Sequence, residues 1–198
     1  MRFLTSLFAA LIMSACTTGP LEQTGIFLPP EHEKQLAARK VCCASYGEFH
    51  FQRLDKNAES TFTLVPDSPV FQFPHGRSYF AAYELPVAAA TLIVKTIPVN
   101  MLYNPVGHVL VPAVVFLDAN KNLIGIARPT YTPKHPRVIG DSWAEASLPI
   151  VSGARFAIVV DARSPQTLAW RDSDQRSGYL NVRSGPTGRG SVIAFGGS

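Results

Sequence analysis

Charge and cysteine are both scarce in this chain, and long apolar runs are missing. Only 16% of its 198 residues are charged, and the 18 Lys+Arg are dispersed among 14 Asp+Glu. No Lys/Arg block and no interleaving of basic with aromatic residues occurs, so the electrostatic footprint of a nucleic-acid binder is absent. The net charge of +4 reads as a solvated surface. With 3 cysteines there is no disulfide framework, and no CxxC pair stands beside a histidine cluster as a zinc or redox site requires. The five histidines, His32, His50, His75, His108 and His135, lie far apart without i, i+2 or i, i+4 company. They read as surface or strand histidines. Ser68, Ser78 and Ser142 lack the G-x-S-x-G setting of a nucleophile elbow. Asp118, Asp141 and Asp161 stand beside turns or strand ends, where acids serve as turn formers. No catalytic constellation emerges, so the expectation is a non-enzyme without cofactor or metal. There is no internal repeat of solenoid or propeller length, and almost no helical periodicity.

What the sequence does contain is β pattern, densest in Leu110–Ala127, LVPAVVFLDANKNLIGIA. Val111, Ala113, Val115 and Leu117 fall on one side of an extended strand, with Leu110, Val114 and Phe116 on the other. Apolar residues on both faces mark a strand inside a packed β structure. Asp118-Ala119-Asn120-Lys121-Asn122 supplies turn chemistry, because Asp and Asn bond their own backbone and tolerate left-handed φ. Leu123, Ile124 and Ile126 begin a return strand, in which Gly125 marks a bulge or a close approach. The stretch predicts a central β-hairpin.

Similar signals recur along the chain. Phe49 and Phe51 alternate with His50 and Gln52. Phe62 and Leu64 face Phe71 and Phe73 across Pro66-Asp67-Ser68-Pro69, the pattern of a hairpin with a type I or II turn. Ser78–Pro86 and Ala90–Ile97 alternate as strands, Pro98–His108 and the Pro-rich Arg128–Trp143 read as loops, and Ser147–Val151 and Arg155–Ala162 return as strands. Short strands with frequent turns predict an all-β protein, an antiparallel β-sandwich of jelly-roll-like arrangement. Its expected extent is 44–179. Residues 180–198 are glycine-rich and read as a flexible tail.

The N-terminus predicts targeting. Residues 1–15 carry Arg2 and the apolar core Leu4–Met13, too short to cross a bilayer as a permanent helix. Met13-Ser14-Ala15-Cys16 resembles a bacterial lipobox, which implies cleavage before Cys16 and its acylation. Thr17 rather than Asp follows, which by analogy with lipoprotein sorting implies the periplasmic side of the outer membrane. Buried acyl chains, at about 0.8 kcal/mol per methylene, anchor such a protein without spanning the membrane. Residues 16–43 form a tether in which Glu31–Lys40, acids first and bases last, suits a short helix. Cys42 and Cys43 remain open between a vicinal bridge, two buried thiols and a metal or redox pair.

SYFAAYELP, VPAVVFLDANKNLIG, the Pro- and aromatic-containing loop and RFAIVVDAR together resemble the maltose-operon periplasmic protein family, over about Ala44 to Tyr179. The residues that carry the likeness are Tyr79, Ala81, Tyr83, Leu85, Pro86, Pro112, Val115, Leu117 and Asp118. The chain departs from the family pattern in its shorter linker, its C-terminal region and its lipobox. The resemblance implies a non-catalytic envelope protein, an accessory of maltose or maltodextrin transport with a sandwich-like body. Tyr103, Tyr131 and Trp143 in the long loops are the candidate ligand-binding aromatics, since flat rings with polar handles match the C–H faces of an oligosaccharide. The favoured reading is that they fold back and staple the loops onto the core, because large aromatics are mostly buried. The alternative is a structural module that binds an envelope or secretion protein through a sheet edge or apolar patch.

Overall fold

The computed structural model describes residues 29–98, 108–134, 143–162, 167–171 and 179–196. They form helix α1 (Pro29–Ala38) and strands β1 (Gln52–Arg53), β2 (Glu59–Leu64), β3 (Val70–Phe73), β4 (Gly76–Glu84) and β5 (Ala89–Ile97). Then come β6 (His108–Val109), β7 (Pro112–Leu117), β8 (Leu123–Ala127), β9 (Thr132–Lys134) and β10 (Trp143–Pro149). The series ends with β11 (Phe156–Asp161), β12 (Thr167–Arg171), β13 (Tyr179–Ser184) and β14 (Gly188–Gly196). One sheet has the order β1-β4-β11-β7-β8, with β3 also on β4; the second runs β2-β14-β5-β10-β9; β12-β13-β6 make a small third. The two larger sheets pack together as the expected antiparallel-rich all-β sandwich.

The Leu110–Ala127 stretch folds as its pattern demands. All six residues of β7 are buried, and β7 lies between β11 and β8. Asp118 closes the turn: its Oδ1 accepts the N–H groups of Asn120 and Asn122, each at 2.8 Å. Lys121 takes the left-handed conformation at φ 64°. The pairing of β7 with β8 slips one residue between Phe116 and Leu117, a bulge next to Gly125. A Cβ on Gly125 would meet Val151 Cγ2 at 3.1 Å, so the bulge and the close approach are both there. The hairpin is not central, however, because β8 is an edge strand and leaves Leu123 and Ile124 exposed.

Side-chain parity assigns the two faces of each sheet. Leu92, Val94 and Thr96 of β5, Ala144, Ala146 and Leu148 of β10, and Val192 and Ala194 of β14 are all buried, and point toward the other sheet. Tyr83 hydrogen-bonds Ser60 of β2 across the interior, and burial raises its phenol pKa to about 12. The opposite face of the first sheet is covered by the segment before β1. There Phe49 stacks on Phe80 with centroids 4.2 Å apart, and Phe51 meets Phe156 at 4.5 Å. Lys121 Nζ sits 4.2 Å from the Phe51 centroid, a cation–π cover on the outside of this pair.

Three expectations need correction. Residues 180–198 are not a flexible tail: Gly188–Gly196 is β14, paired with both β2 and β5 in the interior of its sheet. The glycines that argue against a core serve close packing, since a Cβ on Gly190 would lie 2.1 Å from the Lys95 carbonyl oxygen. The second correction concerns β2 and β3, which are not a hairpin. Although Ser68 N–H does bond Val65 O at 2.8 Å in the turn, β2 joins β14 while β3 pairs β4. The turn passes the chain between sheets, a choice that apolar alternation alone does not distinguish. Third, Phe49 and Phe51 lie outside any strand, after a 3₁₀ turn at Tyr46–Glu48; their alternation reflects docking on Phe80 and Phe156. The expected short helix forms as α1, starting two residues earlier at Pro29, where proline suits a first turn.

Candidate functional site: the outer face of the five-stranded sheet

Strand alternation turns the odd residues of β10 outward: Trp143, Glu145 and Ser147 are half-buried or exposed while Ala144, Ala146 and Leu148 are buried. Register then lays a polar row across all the strands of this sheet. Thr61 stands opposite Ser191, Ser191 opposite Lys95, Lys95 opposite Glu145, and Glu145 opposite Thr132. A flanking row carries Thr63, Arg189 and Ile97, then Lys134 opposite Trp143. On the other side lie Glu59, Ile193, Ile93 and Ser147.

The charges along these rows are paired rather than loose. Lys95 Nζ donates to Glu59 Oε1 at 3.0 Å, and the Ser191 hydroxyl donates to the same oxygen. The Ser191 bond, then Lys95, lowers the Glu59 pKa below its ordinary value. At the other end Trp143 Nε1 donates to Glu145 Oε2 at 3.1 Å, while Lys134 Nζ stands 3.7 Å from Glu145 Oε1. Glu145 thus fixes both the indole and the lysine. The result is a flat surface of hydroxyls and paired charges, with one oriented aromatic ring at its margin.

The sequence-derived candidates fare unequally. Trp143 belongs to this face. Tyr131 does not: it is 4% exposed and its hydroxyl donates to Pro112 O at 3.1 Å. Burial drives its phenol pKa far above the ordinary value. It fastens the β8–β9 connection to the core, which agrees with the stapling reading of the loop aromatics and removes Tyr131 from the ligand-binding candidates. Tyr103 and the lipidation candidate Cys16 lie outside the described residues. Cys42 and Cys43 are joined to each other by a disulfide, with Cys42 exposed and Cys42 N–H bonded to Val70 O at 2.8 Å. Of the open readings for this pair, buried free thiols are corrected.

Sequence spacing missed two things. Lys95, Glu145 and Lys134 carry the face beside Trp143, and the period-2 alternation of ATLIVKTI and WAEASLP was the available signal. His32, on α1, is neither a surface nor a strand histidine, while His108 is a strand histidine in β6 but a buried one: each is 1% exposed, and both converge on the Thr187 hydroxyl. Nothing local in sequence announces a contact between α1, β6 and the residue before β14. Among the described residues no group of three or more His, Cys, Asp or Glu side chains could hold a metal ion, and no helix is long and apolar enough to cross a membrane.

Comparison with protein-family models, with curated proteins and with solved structures finds no match to this chain.

Proposed function

We propose that this chain is a non-catalytic, lipid-anchored envelope protein, held through Cys16 on the periplasmic side of the outer membrane. Its role is that of an accessory in carbohydrate transport, binding an oligosaccharide of the maltodextrin class on the outer face of the five-stranded sheet. The membership of the maltose-operon periplasmic protein family suggested by the sequence is part of the same proposal. The observation that carries the site is the half-exposed Trp143 ring, oriented by its 3.1 Å bond to Glu145 and flanked by Lys134. Such an arrangement offers a sugar one apolar stacking surface and adjacent groups for its hydroxyls.

Titration calorimetry of the full chain in detergent against maltodextrins and envelope glycans tests this. Saturable heat that disappears in Trp143→Ala, with thermal unfolding unchanged, is the expected result. Absence of heat with every glycan, from protein with an intact unfolding transition, overturns it.

A second reading is favoured by a different observation. Edge strand β8 exposes Leu123 and Ile124, and an open strand edge is a template for pairing with another chain. On that reading the protein is an interaction module of an envelope or secretion assembly. Ile124→Lys would then abolish copurification with a membrane complex and leave any glycan heat unchanged.

A further inference from the structure

Helix α1 has little to hold it as an isolated segment. Glu33, Lys34, Gln35, Ala37 and Ala38 are exposed, and only His32 and Leu36 are buried, at 1% and 0%. A ten-residue helix with two buried side chains among residues 31–38 owes its stability to docking. At its C-terminal end Arg77 Nη1 of β4 donates to the carbonyls of Ala37 at 2.6 Å and Arg39 at 3.1 Å. At its N-terminal end the holding group is His32.

His32 Nδ1 lies 2.6 Å from Thr187 Oγ1, and His108 Nε2 lies 3.3 Å from the same oxygen. The two rings meet edge to face with centroids 6.1 Å apart. A hydroxyl has one proton to donate. With both imidazoles neutral, Thr187 donates to one ring and accepts from the N–H of the other, so the tautomers are correlated and both contacts are satisfied. His32 Nε2 is buried without a hydrogen-bond partner. A proton on that ring therefore leaves a cationic N–H in the interior with no partner among the described residues to receive it, at the cost that attends an unpaired buried charge.

We propose that the His32–Thr187–His108 cluster is a proton-operated latch on α1, closed while both imidazoles are neutral and opened when acid protonates either ring. Opening moves His32 into water, where its charge is solvated, and unseats Leu36 with it. α1 is the first described element of the chain, so on the anchored reading proposed above the latch sets how the domain is held from its N-terminal side.

The surroundings agree in sign. Burial lowers the His32 pKa, with the neighbouring Glu31 opposing; burial and then His32 lower that of His108 to about 4. Glu31 on α1 is the charged side chain acting on His32, and His32 the one acting on His108, among the described residues. Arg77 is engaged at the far end of the helix. Both folded-state pKa values are lowered from that of an exposed histidine, so the docked state loses ground as pH falls below about 6.5, and the His108 contribution levels off near pH 4.

Hydrogen exchange of the full chain, followed by mass spectrometry from pH 7.5 to pH 4 and corrected for intrinsic amide rates, reads the latch directly. The opening equilibrium of α1 amides should rise as pH falls from 7.5 to 4 while β4 and β11 amides stay protected. His32→Gln, whose amide still bonds Thr187 and does not titrate, should reduce that rise and leave only the part that His108 contributes. Protection of α1 that holds to pH 4 in the wild type overturns the proposal. So does loss of α1 only together with β4 and β11, or an equal acid response in His32→Gln. If that variant never docks α1 at any pH, the wild-type profile alone decides, by whether α1 opens ahead of the sandwich.

Discussion

The Tyr131 hydroxyl donates to the Pro112 carbonyl oxygen at 3.1 Å. One bond thereby joins the loop after β8 to the first residue of β7, and a residue suited by type to ligand binding becomes part of the core. Tyr131→Phe keeps the ring and removes the bond. It leaves a buried carbonyl short of a partner, which costs about 1 kcal/mol, seen as a lower urea midpoint with unchanged slope. Glycan binding, where measured, should be unaffected.

Gly190 has no room for a side chain. Its Cβ would meet Lys95 O at 2.1 Å and Phe62 Cζ at 2.7 Å, the first of these a backbone atom that moves only if β5 moves. Gly190→Ala is expected to destabilise by about 3 kcal/mol, an overpacking cost, measured by chemical denaturation. Gly153, with nothing within 4 Å of its Cβ position, marks the contrast: its φ of 84° makes alanine there a matter of backbone conformation alone.

Much of the sandwich was legible because burial imposes a period. In β7, β5 and β11 apolar alternation or continuity tracks strand position, and Asp118 with its two Asn partners announces its own turn. β10 (Trp143–Pro149) starts earlier than the expected Ser147–Val151, and the expected loop Arg128–Trp143 holds β9 and the first residue of β10. Strand partners were not legible. Phe62 and Leu64 look suited to Phe71 and Phe73, yet the residues opposite them are Gly190 and Gly188 of β14, and only the assembled sheet decides between β3 and β14. β14 was missed because glycine reads locally as disorder, whereas here its small size lets a strand fit between β2 and β5. At the site Trp143 could be picked out as a residue. The pairing of Lys95 with Glu145 and the meeting of His32 with His108 both depend on register or docking between distant segments.

Thr96 lies on the interior face of β5 and is fully buried, and its hydroxyl donates to Leu110 O at 2.6 Å. The bond fastens the second sheet to the β6–β7 link. Thr96→Val preserves shape and removes the donor, leaving the buried carbonyl to bear the desolvation cost of about 1–2 kcal/mol. Thermal unfolding should shift down while the near-ultraviolet dichroism of the aromatic cluster around Phe49 stays as in the parent.

Glu59, Lys95 and Ser191 form the charged end of the outer face, and pH should act on them in one direction. Bonds from Ser191 and then Lys95 hold the Glu59 carboxyl below its ordinary pKa. A carboxylate with a depressed folded-state pKa contributes stability that is fully present above its unfolded value and lost as pH falls through the folded one. Because the pair is largely solvated, the contribution is about 0.5–1 kcal/mol at neutral pH and low salt. Glu59→Gln should therefore cost that much at pH 7, less in 1 M salt, and less at pH 2 than at pH 7, since the stabilisation declines as the wild-type carboxyl takes up its proton. Urea unfolding of both proteins at the two pH values checks it: a difference that persists undiminished into acid would mean that Glu59 works through packing rather than through its charge.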